Sequence, residues 1–114
     1  MSPITTHVLD TALGRPAEGV QVALEKIAPE ATLLAEGLTN ADGRIVDLLP
    51  ERAQKSFEPG RYRLTFHTGA YCARANQPCF YPQVVIDFEV VDPAQHYHVP
   101  LLLSPFGYST YRGS

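Results

Sequence analysis

The stretch "HYHVPLLLSPFGYSTYRGS", residues 96–114, alternates its side chains with the period of two that a strand imposes. Tyr97, Val99, Leu101 and Leu103 make one apolar face, and His96, His98, Pro100 and Leu102 make the other. "SPFG" breaks the run. "GYSTYRGS" resumes it as a last strand, with Tyr108, Thr110 and Arg112 alternating with Ser109, Tyr111 and Gly113. Pro100 has no ladder donor, which predicts an edge strand or a bulge beside it. Working back from this stretch, "QVVIDFEVV" (83–91), "RYRLTFHT" (61–68), "IVDLL" (45–49), "TLLAEGLT" (32–39), "VQVALEKIA" (20–28) and "ITTHVLD" (4–10) read as further strands. Turn signals separate them, among them "ALGRPAEG" (12–19), the Asp-Gly turn "NADGR" (40–44) and "DPAQ" (92–95). "PERAQKSF" (50–57) reads as a loop with a helical turn, and "GAYCARAN" (69–76) as one or two turns of helix. About eight strands and one short helix predict an all-β, two-sheet antiparallel sandwich.

With 114 residues, the chain reads as one domain spanning 1–114. A domain of this size hides about two-thirds of its unfolded surface, so one open sheet face would be ordinary. Nine basic residues are scattered along a chain of net charge −3, which argues against nucleic acid as a partner. No apolar run approaches the roughly 20 residues of a membrane span, so no membrane partner is expected. "MSPITTHVLD" lacks the pattern of a secretory signal, which makes the cytoplasm the expected location, with a processed form as the alternative. The spacing of Cys72 and Cys79 matches no zinc ribbon or redox pair, and a cytosolic chain is expected to keep them as free thiols rather than a disulfide.

If the more apolar face of each strand points between the sheets, His7 and Leu9 lie on the outer face of the first strand. His98, Pro100 and Leu102 do the same on the penultimate one. Imidazoles mixed with leucines suit bulk water poorly, and such patches often mark an interface. This face is therefore expected to be covered by another subunit, leaving a polar-lined cleft. Taken singly, these residues have plainer readings: a strand histidine is ordinarily a satisfied surface residue, Arg44 a solvated turn residue and Tyr111 a β-favoured filler.

Four blocks combine beyond parity. "THVLDTALGRPA" (6–17), "TNADGR" (39–44), "FYPQVVIDF" (80–88) and "HYHVPLLLSPFGYSTYRGS" (96–114) resemble the 5-hydroxyisourate hydrolases, the transthyretin-related enzymes of urate breakdown. The resemblance runs in order through nearly the whole chain. Its most specific element is the terminal "YRGS", which separates these enzymes from transthyretin proper.

The resemblance implies a transthyretin-like (prealbumin-like) sandwich assembled as a dimer of dimers, with active sites between dimers. It implies a site of His7, Arg44, His98 and the segment Tyr111 to Ser114, and hydrolysis of 5-hydroxyisourate to 2-oxo-4-hydroxy-4-carboxy-5-ureidoimidazoline. On this reading His7, His98, Arg44 and Ser114 are catalytic, and Tyr111, Arg44, Leu9, Pro100 and Gly113 hold the substrate. No cofactor and no catalytic metal is expected, although His96 and His98 share a face that could take up zinc adventitiously. Either histidine could be the general base, with a preference for His98. Parity turns Arg112 away from the cleft, toward an ion pair or an interface. The alternatives are a transthyretin-like carrier of small hydrophobic ligands and an adhesion or scaffold module.

Overall fold

A computed structural model of the chain describes residues 2–114. Its strands are β1 (Ile4–Asp10), β2 (Arg15–Pro16), β3 (Gln21–Lys26), β4 (Thr32–Leu38), β5 (Gly60–Phe66), β6 (Val84–Val90), β7 (Tyr97–Ser104) and β8 (Gly107–Thr110). The helices are α1 (Glu51–Gln54) and α2 (Thr68–Arg74). Two four-stranded sheets form, in the orders β2-β1-β7-β8 and β4-β3-β5-β6. Alternate residues of the strands close on one another between the sheets: Ile4 and Val8, Val22 and Leu24, Leu64 and Phe66, Val99 and Leu101 are all buried. The expected two-sheet sandwich is the fold. No helix among the described residues is long and apolar enough to cross a membrane.

Several local expectations change. "IVDLL" is not a strand. Ile45, Leu48 and Leu49 are buried, but Asp47 has a φ of 57° and turns the chain, so a short apolar run fills the core from a loop. A two-residue strand instead arises inside the predicted break, where Arg15 and Pro16 pair with Asp10 and Leu9. The helical turn read in "PERAQKSF" is α1, a single turn.

The sheets are antiparallel except at one pair. β1 runs parallel to β7, in a register that sets Thr5 against His98 and His7 against Pro100. All of the second sheet lies between these two strands in sequence, so no hairpin constrains their direction. Pro100 is consequently not on an edge strand. It faces the end of β8, where the ladder stops at Thr110 and resumes as a single bridge between His98 and Gly113. Thr110 donates its hydroxyl to the Pro100 carbonyl at 2.7 Å across the gap. The missing N–H falls where β8 has already ended.

Candidate active site

β1 is rich in β-branched residues and shows strict alternation: Ile4, Thr6, Val8 and Asp10 are buried, while Thr5, His7 and Leu9 are half-buried on the outer face. Thr6 anchors the strand to β7 through its hydroxyl, which donates to the Val99 carbonyl at 2.7 Å. Because the neighbouring strand is parallel and in register, Thr5 and His98 lie side by side. The Thr5 Oγ1 is 2.8 Å from His98 Nδ1 and 2.9 Å from His96 Nε2. The two imidazole rings lie 6.4 Å apart and 22° from parallel. A hydroxyl has one proton and two lone pairs, so Thr5 can donate to only one of these rings.

Arg44 reaches the same face by a different route. In the Asn40–Arg44 turn, Asn40 Oδ1 accepts from the Asp42 N–H at 2.9 Å and the Arg44 N–H at 3.1 Å. Gly43 has a φ of 74°, and a Cβ there would stand 2.4 Å from the Val8 carbonyl oxygen, so only glycine lets the turn lie against β1. The Val8 N–H donates to the Gly43 carbonyl at 2.8 Å, and His7 and Arg44 form a bridge. The tail arrives from the other side, where the Gly113 N–H donates to the His98 carbonyl at 2.8 Å.

These pieces border a hollow of about 400 Å³ lined by Ser2, Thr5, Thr6, Arg44, Ile45, Val46, Asp47, His96, His98 and Ser114. His7 sits at its margin, two residues along β1 from Thr5. His98 is held below the ordinary 6.5 of an imidazole by burial first, then by the positive charge of Arg44 and by His96 and His7, against a hydrogen bond with the Thr5 backbone. His7 is lowered likewise by burial and then Arg44, with Asp42 pulling the other way. Both are therefore neutral at pH 7, the state in which an imidazole can accept a proton. Among the described residues, no ion pair engages Arg44.

The sequence model of the HIUase/Transthyretin family matches residues 4–113. The chain belongs to the HIUase/transthyretin family. Within it, "5-hydroxyisourate hydrolase 2" of Rhizobium meliloti is 49% identical over 116 residues, covering 97% of this chain and 95% of that protein. The solved structure of Klebsiella pneumoniae 5-hydroxyisourate hydrolase is 43% identical and superposes with a TM-score of 0.83, covering 100% of both chains. Sea bream transthyretin in complex with thyroxine is 32% identical, with a TM-score of 0.88 over 97% of this chain and 94% of that one. Similarity of fold thus extends from hydrolases to a thyroxine-bound transthyretin, and the side chains on the fold must separate the two functions.

In this member of the HIUase/transthyretin family, the residues named from sequence divide into two groups. Arg44, His98 and Ser114 line the hollow, and His7 and Gly113 adjoin it through their bridges to Arg44 and His98. Gly113 is there because of the imidazole: a Cβ at that position would stand 2.4 Å from His98 Cδ2. Leu9 and Pro100 lie farther along the same strands, outside the lining, with Pro100 buried. Tyr111 is exposed and borders a separate hollow of about 260 Å³, together with Ile86, Phe88, Tyr97 and Arg112. The expectation that Tyr111 shares the imidazole hollow is not met within the protomer, because the tail bends where the ladder lapses opposite Pro100.

Arg112 turns away as parity required, although its partner is a ring rather than a carboxylate. Its guanidinium lies 4.6 Å from the Tyr97 ring centroid and donates to Gln95 Oε1 at 3.1 Å. Sequence reasoning missed Thr5 and gave His96 no part in the hollow. Parity already placed Thr5 with His7, but its contact with His98 depends on a strand register that no local signal carries. A larger hollow of about 450 Å³, lined by Leu13, Arg15, Glu18, Tyr71 and Arg74 among others, contains no imidazole. Among the described residues, no three His, Cys, Asp or Glu side chains are grouped to hold a metal ion.

Proposed function

We propose that this protein hydrolyses 5-hydroxyisourate to 2-oxo-4-hydroxy-4-carboxy-5-ureidoimidazoline, and that the hollow beside His98 is where the reaction takes place. One observation carries the reading beyond family membership: two imidazoles held below their ordinary 6.5 share a face with a guanidinium that, among the described residues, forms no ion pair. Such a face suits an electron-poor, carbonyl-bearing ring that passes through an anionic transition state.

His98 acts as the base. With Nδ1 occupied by Thr5, its other nitrogen is left to take a proton from water. The resulting hydroxide adds to the lactam carbonyl carbon, and the charge that develops on oxygen is met by Arg44. Collapse breaks the carbon–nitrogen bond, and the departing nitrogen receives the proton held by the imidazolium, with His7 as the second carrier. The carbonyl becomes a carboxylate and the six-membered ring opens. Ser114 contributes its hydroxyl to the wall of the hollow, where it can orient water. Thr5 is a positioning residue, since it holds the ring of His98 without touching the reacting atoms. Leu9, Pro100 and Tyr111 complete the substrate site when a second copy closes the face in a homotetramer built as a dimer of dimers. The free thiols of Cys72 and Cys79 fit a reducing cytoplasm.

A carrier reading is favoured by the likeness to the thyroxine-bound transthyretin. Against it stands the composition of the hollow, because an apolar ligand would have to strip water from Arg44 and His98 without compensation.

The experiment generates 5-hydroxyisourate from urate with an oxidase and follows its ultraviolet absorbance. The purified protein is expected to speed the decay far beyond the spontaneous rate. A rate equal to the spontaneous one, with binding of an apolar aromatic ligand, would replace the hydrolase with the carrier.

A further inference from the structure

We propose that Cys72 and Cys79 are an oxidation site, at which a hydroperoxide attacks the outer thiol and the inner thiol resolves the product to an internal disulfide. The α2 helix ends by reversing on itself. Asn76 has a φ of 56°, and the Gln77 N–H returns to the Cys72 carbonyl at 2.9 Å, a helix-terminating motif that turns the chain back along the last turn. Pro78 follows, and Cys79 then returns to pack against the buried cluster that holds Cys72, close enough for the two thiols to interact.

The two sulfurs differ. Cys72 is buried, 2% exposed, and burial together with Cys79 pushes its thiol up to about 12. Cys79 is half-buried, reachable from solvent, and donates to the Tyr81 carbonyl at 3.2 Å. Both flanks of the loop are already pinned. Gln77 Nε2 donates to Asp10 at 2.8 Å, the Phe80 N–H to the Pro105 carbonyl at 2.8 Å, and the Gly69 N–H to the Pro82 carbonyl at 2.8 Å. The thiols are thus brought together by the fold before any bond joins them.

Cys79, as its thiolate, attacks the outer oxygen of the hydroperoxide. The oxygen–oxygen bond breaks, the remainder leaves as an alcohol or water after protonation, and Cys79 becomes a sulfenic acid. The Cys72 sulfur then attacks Cys79, the sulfur–oxygen bond breaks, and the oxygen departs as water with the Cys72 proton. In sum, two thiols and one hydroperoxide give one disulfide, one alcohol (water, from hydrogen peroxide) and one water. The sulfurs lose two electrons and the peroxide gains them.

The test uses the full chain, fully reduced, with hydrogen peroxide as the probe and intact-mass spectrometry after iodoacetamide labelling. Before oxidation, Cys79 should label in the folded protein and Cys72 only after unfolding. After oxidation, the mass should fall by about 2 Da. Neither thiol should then label, even unfolded, and dithiothreitol should restore both. In Cys72→Ser the product should instead be an oxygenated Cys79, heavier by about 16 or 32 Da. Cys72→Ala is the second variant, since serine would bury a hydroxyl. A wild-type product with oxygen retained on Cys79, a disulfide joining two chains, or two thiols that label as before would each overturn the proposal. The readout is thiol chemistry and does not depend on turnover.

Discussion

The two outer faces of the sandwich are built from the same alternation but treat charge in opposite ways. On the second sheet, the register sets Arg61 against Glu89 and Arg63 against Asp87, and each pair closes as an ion pair. Gln21 reaches diagonally across β3 and β4 to donate to Glu36 at 3.1 Å. That face is neutralised locally and exposed to water. On the first sheet, Arg44, His7, His96 and His98 share one face, and no carboxylate among the described residues pairs with Arg44. A charge matched across strands belongs to solvation. An unmatched guanidinium that depresses two neighbouring imidazoles is arranged for something that comes and goes.

The contrast predicts a ranked series of effects. His98→Ala should lower the rate of 5-hydroxyisourate hydrolysis the most, by on the order of 1000-fold, because it removes the proposed proton acceptor. Near-normal turnover in a folded variant would move the base elsewhere. Next, Arg44→Ala should cost about 100-fold in kcat/KM. Arg63→Ala, an arginine removed from the opposite face, should leave turnover unchanged, and equal losses from the two would erase the difference between the faces.

The effect of pH comes third. Because both imidazoles are held below 6.5, the active neutral forms should persist on acidification, and the acid limb of the rate profile should fall below 6.5. Arg44→Ala should shift that limb upward, leaving burial and, at His98, the neighbouring histidines as the lowering causes. Stability follows the same sign. The unfolded chain takes up protons before the folded one, so stability is complete above about 6.5 and declines as pH falls through the lower folded values. A melting temperature that rises on acidification through this range would contradict it. The smallest effect is expected from Arg112→Ala, which removes the contact with Tyr97 at a cost of about 0.5–1 kcal/mol, read as a slight drop in melting temperature.

Much of this contrast was legible in the chain. The period of two placed His7 and His98 outside and Val8, Val99 and Leu101 inside, because neighbouring side chains on an extended backbone must alternate. The Asp-Gly turn announced the reversal before Arg44, and the mismatch of imidazoles with leucines marked the face as unusual. The failures have physical causes of their own. "IVDLL" has the composition of a strand but lines the core from a loop, since a short apolar run carries no period to distinguish the two. Pro100 left an edge strand and an irregular ladder equally open, because a lone strand shows its missing donor but not the length of its neighbour. Tyr111 borders a separate hollow within the protomer because the ladder that parity follows lapses at that position.

Local chemistry settled which side chains could work, from the pitch of the strands to the glycines at turns and tail. It did not settle who meets whom. Thr5 and His98 are separated by 93 positions, and their contact exists only because β1 and β7 run parallel in one register. That pairing is selected by burial of both apolar faces at once, a free energy belonging to the assembled sandwich and to no segment of it.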